Sequence, residues 1–276
     1  MFVSRPSVRL VGIGAGLAVA ALVAAGCAKS DTGTKTASGA TLVSKGRLTT
    51  CTHLPYRPFQ YQQGDKVVGF DVDMIDLVAK KLGVTQTVVD MPFENIQTGI
   101  ALNGGKCDVA AAGMTINAER KKHIDFSEPY FDANQALMAK KGVSLPNGLA
   151  DVKAKQLRLG SQASTTGEEY AQDHGADPRS YQDSAALGNG LKGGQVDVII
   201  LDEPVFRDWL KSQGYDDKYA IAGTIKTGEQ YGFAVRKGKN PKLLQTINQV
   251  ITASKKDGTY KKLYEKWMGT APENAG

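Results

Sequence analysis

Ala111-Ala112-Gly113-Met114-Thr115-Ile116-Asn117-Ala118-Glu119-Arg120 is the stretch on which the fold turns. Asp108-Val109-Ala110-Ala111-Ala112, which leads into it, is small and apolar, the pattern of a short buried strand. Gly113 ends that strand, and Asn117 is placed to cap a short helix through Glu119, Arg120 and Lys121. A strand that stops, bare backbone and a helix that starts together make a corner where free N–H groups face a gap. Arg120, on the first turn of the helix, leans over the same gap. Backbone N–H groups beside an arginine fork suit a carboxylate. The plain alternative is a corner whose arginine is merely solvated, and these residues alone favour it.

The surrounding order changes that balance. Tyr56-Arg57-Pro58-Phe59, then Gly69-Phe70-Asp71-Val72-Asp73-Met74, then the quoted stretch, then Ile124-Asp125-Phe126-Ser127-Glu128-Pro129-Tyr130 follow one another at plausible spacing. Lys266-Trp267-Met268-Gly269 closes the series. In this order the chain resembles the amino-acid-binding components of ABC importers, the extracytoplasmic solute-binding protein family 3, from about Gly46 to Gly269. The resemblance implies an α/β, two-lobed periplasmic-binding-protein fold: two open sheets with flanking helices, joined by a two-strand hinge. It also implies no cofactor and a monomer.

Read in order, the chain of 276 residues begins with Arg5 and Arg9, then an apolar run from Leu10 to Ala25 that ends at Gly26-Cys27. The run is short of the ~20 residues of a spanning helix and has the charged start and apolar middle of a signal peptide, residues 1–26. Gly12-Ile13-Gly14-Ala15-Gly16 within it lacks the strand-turn-helix setting of a phosphate loop. Ala24-Ala25-Gly26-Cys27 resembles a lipobox, which implies cleavage before Cys27, lipid on its sulfur and extracytoplasmic anchoring to the cell membrane. Ala24 departs from the usual Leu, and plain secretion is the alternative. Residues 27–45, rich in Ser, Thr, Gly and Ala, are expected to be a flexible tether.

The net charge of +6 is spread along the chain, and its densest groups, Arg120-Lys121-Lys122 and Lys255-Lys256, are too short to indicate nucleic-acid binding. The remaining chain suffices for two modest domains or one large one. Strands are predicted over Arg47–Thr52, Val67–Phe70 and Thr85–Met91, with a helix capped by Asp71 and ended by Gly83, and another helix over Ile96–Leu102. Asp71, Asp73 and Asp76 lack the spacing of a calcium loop and are read as capping and surface groups. Asp132–Lys140 reads as a strand crossing into a second domain. That domain repeats the corner: a strand Leu157–Ser161 ends before Ser164-Thr165-Thr166-Gly167, where hydroxyls and free N–H groups open a helix. A strand Val196–Leu201 ends at Asp202, ahead of a helix starting at Pro204. Strands at Tyr219–Ile225 and Gln230–Val235 follow, the latter read as the return crossing. Lobe 1 is therefore expected from residues 46–131 and 230–276, and lobe 2 from 132–229.

Two opposed corners suit a free polar amino acid, whose carboxylate and ammonium share one carbon. Arg120, the Thr115 backbone and Thr166 suit the carboxylate; the Gly113 carbonyl and Asp202 suit the ammonium. Asp202 follows from the resemblance, which implies an acid there; a helix cap is the plainer role. The resemblance further implies aromatic rings against the ligand at Tyr56 and at Phe93, the latter on a loop. His53 stands where many relatives carry an acid. Together with Gln162, beside Thr165 at the second corner, and Ala112, at the end of the first strand, it completes the candidate site. His53 and Gln162 argue against a strongly basic ligand. The importer's membrane subunits are the implied partner.

Two other classes stay open. A cyclohexadienyl-dehydratase-like enzyme occurs on this fold, and His53 with Glu94 or Glu203 would be its acid–base pair. A ligand-sensing module for a signalling receptor is the other.

Cys51 and Cys107 remain. If their strands are parallel neighbours, Cys107 is offset by roughly four residues, about 13 Å, beyond the ~7 Å between Cα atoms that a disulfide spans. Two separate thiols are expected.

Overall fold

The structure is a computed structural model that describes residues 33–270; the expected signal peptide and Cys27 lie outside the described residues. Two short strands, β1 (Thr34–Lys35) and β2 (Thr41–Leu42), pair antiparallel. This corrects the expected tether over part of its length. Ala40 and Leu42 are buried in the main core, the Asn240 side chain bonds both the N–H and the carbonyl of Thr41, and Asp108 takes the Val43 N–H. One Leu in the right place, with its backbone neighbours satisfied, outweighs a composition that reads as linker.

The body follows as β3 (Arg47–Thr52), β4 (Tyr61–Gln63), β5 (Lys66–Val68), α1 (Phe70–Leu82), β6 (Thr85–Asp90), α2 (Phe93–Gln97), α3 (Ile100–Asn103), β7 (Val109–Ala110), α4 (Ala118–Lys121) and β8 (Ile124–Phe126). Then come β9 (Phe131–Lys140), α5 (Leu149–Ala154), β10 (Leu159–Gln162), α6 (Thr166–Asp173), β11 (Arg179–Tyr181), α7 (Ser184–Lys192), β12 (Val198–Asp202), α8 (Glu203–Ser212) and β13 (Tyr219–Tyr231). The chain closes with β14 (Ala234–Arg236), α9 (Pro241–Lys256) and α10 (Thr259–Met268). No helix among the described residues is long and apolar enough to cross a membrane.

Two five-stranded sheets result, ordered β6-β3-β7-β14-β8 and β11-β10-β12-β9-β13. In each, the strands that carry a corner run parallel at the centre: β3 beside β7 in the first, β10 beside β12 in the second. Their C-terminal ends are where open α/β sheets offer a crevice. The sheets are joined by β9 and β13, which pair antiparallel from Tyr219 and Lys140 down to Tyr231 and Phe131. The return crossing is thus the single long strand β13, with register shifts after Ile221 and Ile225, and not Gln230–Val235. At the junction Phe131 and Tyr231 stack at 5.7 Å, and Phe59 meets both rings edge-on at 4.9 and 5.1 Å. Aromatic area of this kind anchors the two strands where they leave the first sheet.

The hairpin β4–β5 ends before Gly69, and Phe70 opens α1 rather than closing a strand. Asp71 does not cap that helix. Carbonyls of Pro58 and Phe59 already take the N–H groups of Phe70 and Asp71, and Gly69, at φ +142°, lets them approach: a Cβ there would lie 2.1 Å from the Phe59 oxygen. The Asp71 carboxylate is freed to turn inward, fully buried. The predicted helix over Ile96–Leu102 is two short helices, α2 and α3, interrupted at Thr98-Gly99, and Phe93 belongs to the first of them.

Cys51 and Cys107 form a disulfide, with Cα atoms 5.7 Å apart. The expectation of two thiols extended β7 back to Cys107. The strand is only Val109–Ala110, with Ala110 the register partner of Cys51. Cys107 arrives from α3 through Gly104-Gly105 and sits with Cys51, Ile96, Ala101 and Leu102 in one apolar cluster on the sheet's face. Strand rise does not measure a distance across such a turn.

Candidate functional site

The residues singled out from the sequence converge. His53, Tyr56, Phe93, Ala112, Gly113, Thr115 and Arg120 from the first sheet's side, and Gln162, Thr165, Thr166 and Asp202 from the second's, line one cavity, joined by Gln60. Its free volume is only about 10 Å³, room for about one water, because side chains from the two sides meet across it. A far larger open groove of about 2370 Å³ runs beside α8, α9 and α10, well above the roughly 300–1,000 Å³ of small-ligand sites.

The first corner is built as its sequence suggests. Asn117 caps α4 by accepting the Arg120 N–H at 2.8 Å, which fixes the backbone from which Arg120 reaches inward. The guanidinium is buried and donates to the Thr115 carbonyl at 2.9 Å and, across the cleft, to the Ser164 carbonyl at 3.3 Å. It lies 5.3 Å from the centre of the Phe93 ring. Its Nε finds no acceptor among the described residues. Burial lowers its pKa, and the charges of Glu169, Asp202 and Glu229 oppose that.

Gly113 turns at φ +55°, where a Cβ would come within 2.9 Å of the Tyr56 ring. Its N–H is not left for a ligand: it donates to Asp71 Oδ2 at 2.8 Å, while the Tyr130 hydroxyl donates to Oδ1 at 2.6 Å. Asp71 thus ties the corner to the root of β9. Burial raises its carboxyl to about 7, against both hydrogen bonds.

The second corner brings Thr165 as the cap of α6, accepting the Glu168 N–H and donating to the Gln162 carbonyl at 2.7 Å. Thr166 stands 3.4 Å from the Thr115 hydroxyl, oxygen to oxygen across the cleft. Asp202 ends β12 and precedes α8, yet its carboxylate makes no capping bond. It accepts instead from Tyr56, from Tyr231 and from Gln135 Nε2. Burial, then the Glu229 charge, raises it to about 6. His53 is held between the carbonyls of Met91, at 2.9 Å, and Gln182, at 3.3 Å.

Gln60, Gln135, Tyr231 and Glu229 were not singled out from the sequence, and Asp71 was read there only as a cap and surface group. Gln135 had a signal: an amide set directly against the apolar run Ala136-Leu137-Met138-Ala139 of a buried strand. The Gln135 Nε2, with two hydrogens, lies within hydrogen-bond reach of Asp202, Glu229 and Thr166. The acid–base pairing of His53 with Glu94 or Glu203 does not form, since neither acid lines the cavity and Glu203 pairs with Arg207.

Buried opposite charges at facing corners make a small site lined by polar and apolar groups together. Known proteins share the whole frame. The arginine-binding extracellular protein ArtP of Bacillus subtilis (strain 168) is 30% identical over 244 residues, 88% of this chain and 91% of that protein. The ABC transporter glutamine-binding protein GlnH of the same strain is 32% identical over 211 residues, 75% of each chain. A solved structure of an ancestral arginine-binding protein bound to glutamine superposes with a TM-score of 0.75 at 40% identity, covering 82% of this chain and all of that one. Residues 48–270 match the bacterial extracellular solute-binding proteins, family 3, and the chain belongs to that family.

Proposed function

We propose that this chain binds a free polar amino acid between its two sheets and presents it, closed, to an ABC importer. The observation that carries the reading is the pair of buried charges, Arg120 and Asp202, on opposite walls of one cavity. Arg120 has an unsatisfied Nε and suits the ligand's carboxylate, with the Thr115 and Thr166 hydroxyls beside it. Asp202 suits the ammonium. Tyr56 and Phe93 cover the ligand and exclude water, which strengthens each charged contact.

Contacts drawn from both walls favour the closed arrangement, so ligand shifts the population toward it. In this reading residues 46–131 and 230–276 move as one lobe and 132–229 as the other, with β9 and β13 as the hinge. Cleavage before Cys27 and lipid on its sulfur would keep a monomer on the extracytoplasmic face of the cell membrane, beside the importer. Relatives named as binding proteins support a carrier over a catalyst.

A thermal-shift screen of the purified chain against the common amino acids tests the reading. A binder at a hundred times its dissociation constant should stabilise by about 2.7 kcal/mol. Failure of every amino acid to raise the unfolding temperature would refute it.

A further inference from the structure

We infer that the ligand's side chain is neutral and donates N–H hydrogen bonds, the chemistry of a carboxamide, and that Gln60 and Gln162 select it. The inference rests on the amino-acid reading above and narrows it.

Charge excludes the alternatives first. Among the residues lining the cavity, the acid and the guanidinium are Asp202 and Arg120, which the ligand's own ammonium and carboxylate match one to one. A third ligand charge would find no further carboxylate or guanidinium in the lining, and the His53 imidazole there is already engaged with the Met91 and Gln182 carbonyls, so burying it is a costly arrangement. The nearby acids do not fill that role. Glu229 stands behind Gln135, accepting its amide at 2.7 Å and the Thr227 hydroxyl at 3.1 Å. Neither Glu229 nor Glu169 lines the cavity.

The neutral groups then choose among uncharged side chains. Gln60 and Gln162 are each 1% exposed, both line the cavity, and the Oε1 of each lacks a donor among the described residues. The Gln60 amide is oriented by its Nε2, which donates to the His53 carbonyl at 3.4 Å, so its oxygen is the free end. A buried acceptor left without a donor costs about 1–3 kcal/mol. A ligand N–H removes that cost. A side-chain carboxylate sets oxygen against oxygen, and a thioether or alkyl chain leaves both acceptors bare. A guanidinium supplies donors but brings the unmatched charge.

Isothermal titration of the purified chain at neutral pH with L-glutamine, L-asparagine, L-glutamate, L-arginine and L-methionine tests this. A carboxamide should bind tightest, by about tenfold or more over the other three, as expected of a site built to hydrogen-bond its ligand. Arginine, glutamate or methionine binding as tightly as the better amide overturns the inference and leaves the amino-acid reading intact. Binding by none of the five overturns the inference, and the amino-acid reading falls with it only if the full thermal-shift screen is also empty. Gln162→Glu supplies the missing counter-charge, so arginine should gain on glutamine by about tenfold; an unchanged ratio in folded protein removes Gln162 from selection. Should that variant fail to fold, Gln162→Leu carries the same question: methionine should gain on glutamine, and an unchanged ratio overturns the assignment.

Discussion

Tyr56, in the loop after β3 of the first sheet, donates its hydroxyl hydrogen to the carboxylate of Asp202, at the end of β12 in the second. The same carboxylate accepts from Tyr231, at the foot of β13, and from Gln135 in β9. One acid therefore draws together both walls of the cleft and both strands that join the sheets. A carboxylate has about four acceptor sites, and among the described residues Oδ1 takes Gln135 alone, which leaves a site suited to a ligand ammonium.

Binding should depend on pH through Asp202. Its carboxyl is raised to about 6 by burial and by the Glu229 charge, with the three donors pulling the other way. An ammonium binds the ionised form. As pH falls through about 6 the acid takes up a proton, and affinity should fall by about tenfold per further pH unit. Above about 7 it should be flat. Asp202→Asn should weaken binding by on the order of 2–5 kcal/mol and abolish the slope. Titration calorimetry from mildly acid to mildly alkaline pH checks this; a slope that survives in the Asn variant belongs to another group.

Arg120→Ala should cost about 2–5 kcal/mol of binding, since the ligand's carboxylate would lose its buried partner. Arg120→Lys should also weaken binding, because a point charge cannot keep the bond to the Thr115 carbonyl while forking to a carboxylate. Equilibrium binding on variants of unchanged fold measures both. Wild-type affinity in the Ala variant would take Arg120 out of the site.

Much of the cavity was legible because corners announce themselves locally. Gly113, Asn117 and Arg120 on one side, and Thr165 and Thr166 on the other, are turn and cap residues whose roles follow from their immediate neighbours. Groups whose partners are distant in sequence were not legible. Asp71 in the run Gly69-Phe70-Asp71-Val72-Asp73 reads as a cap. Only in three dimensions do the Pro58 and Phe59 carbonyls replace it there and Gly113, 42 residues on, claim its carboxylate. Gln60 and Tyr231 sit in segments whose polarity pattern carries no such mark. The expectation of two thiols failed for a related reason: the approach to β7 turns over the face of the sheet, and periodicity says nothing about turns of that kind.

Reduction should expose how much the Cys51–Cys107 bond contributes. The cysteines are 56 residues apart in sequence, and closing a loop of that size removes unfolded-chain entropy worth about 4 kcal/mol in the simple polymer estimate. Cys51→Ser with Cys107→Ser should therefore lower stability by roughly 2–5 kcal/mol. Ligand affinity should change little, because neither cysteine lines the cavity. Denaturant unfolding and binding of the double variant check the two halves. A double variant as stable as the parent would show that the bond does not constrain the chain.

Asp71 sets the last expectation, which concerns stability and not binding. Its carboxyl rises from an ordinary value of 3.8 to about 7, because burial outweighs the hydrogen bonds from Tyr130 and Gly113. The folded protein then holds a proton on Asp71 over a range where the unfolded chain has lost it. Stability from this group is present below about 4 and is lost as pH rises toward about 7. A shift of this size corresponds to on the order of 4 kcal/mol over the full window. Asp71→Asn keeps an acceptor for the Gly113 N–H and cannot ionise, so its stability should fall less between about pH 5 and pH 8 than the parent's, by on the order of 2–4 kcal/mol. The comparison uses urea unfolding of both proteins at both pH values, and groups common to the two cancel in the difference. Parallel profiles would mean that Asp71 stays ionised when folded, and the tie between Gly113 and Tyr130 would then be a charged one throughout.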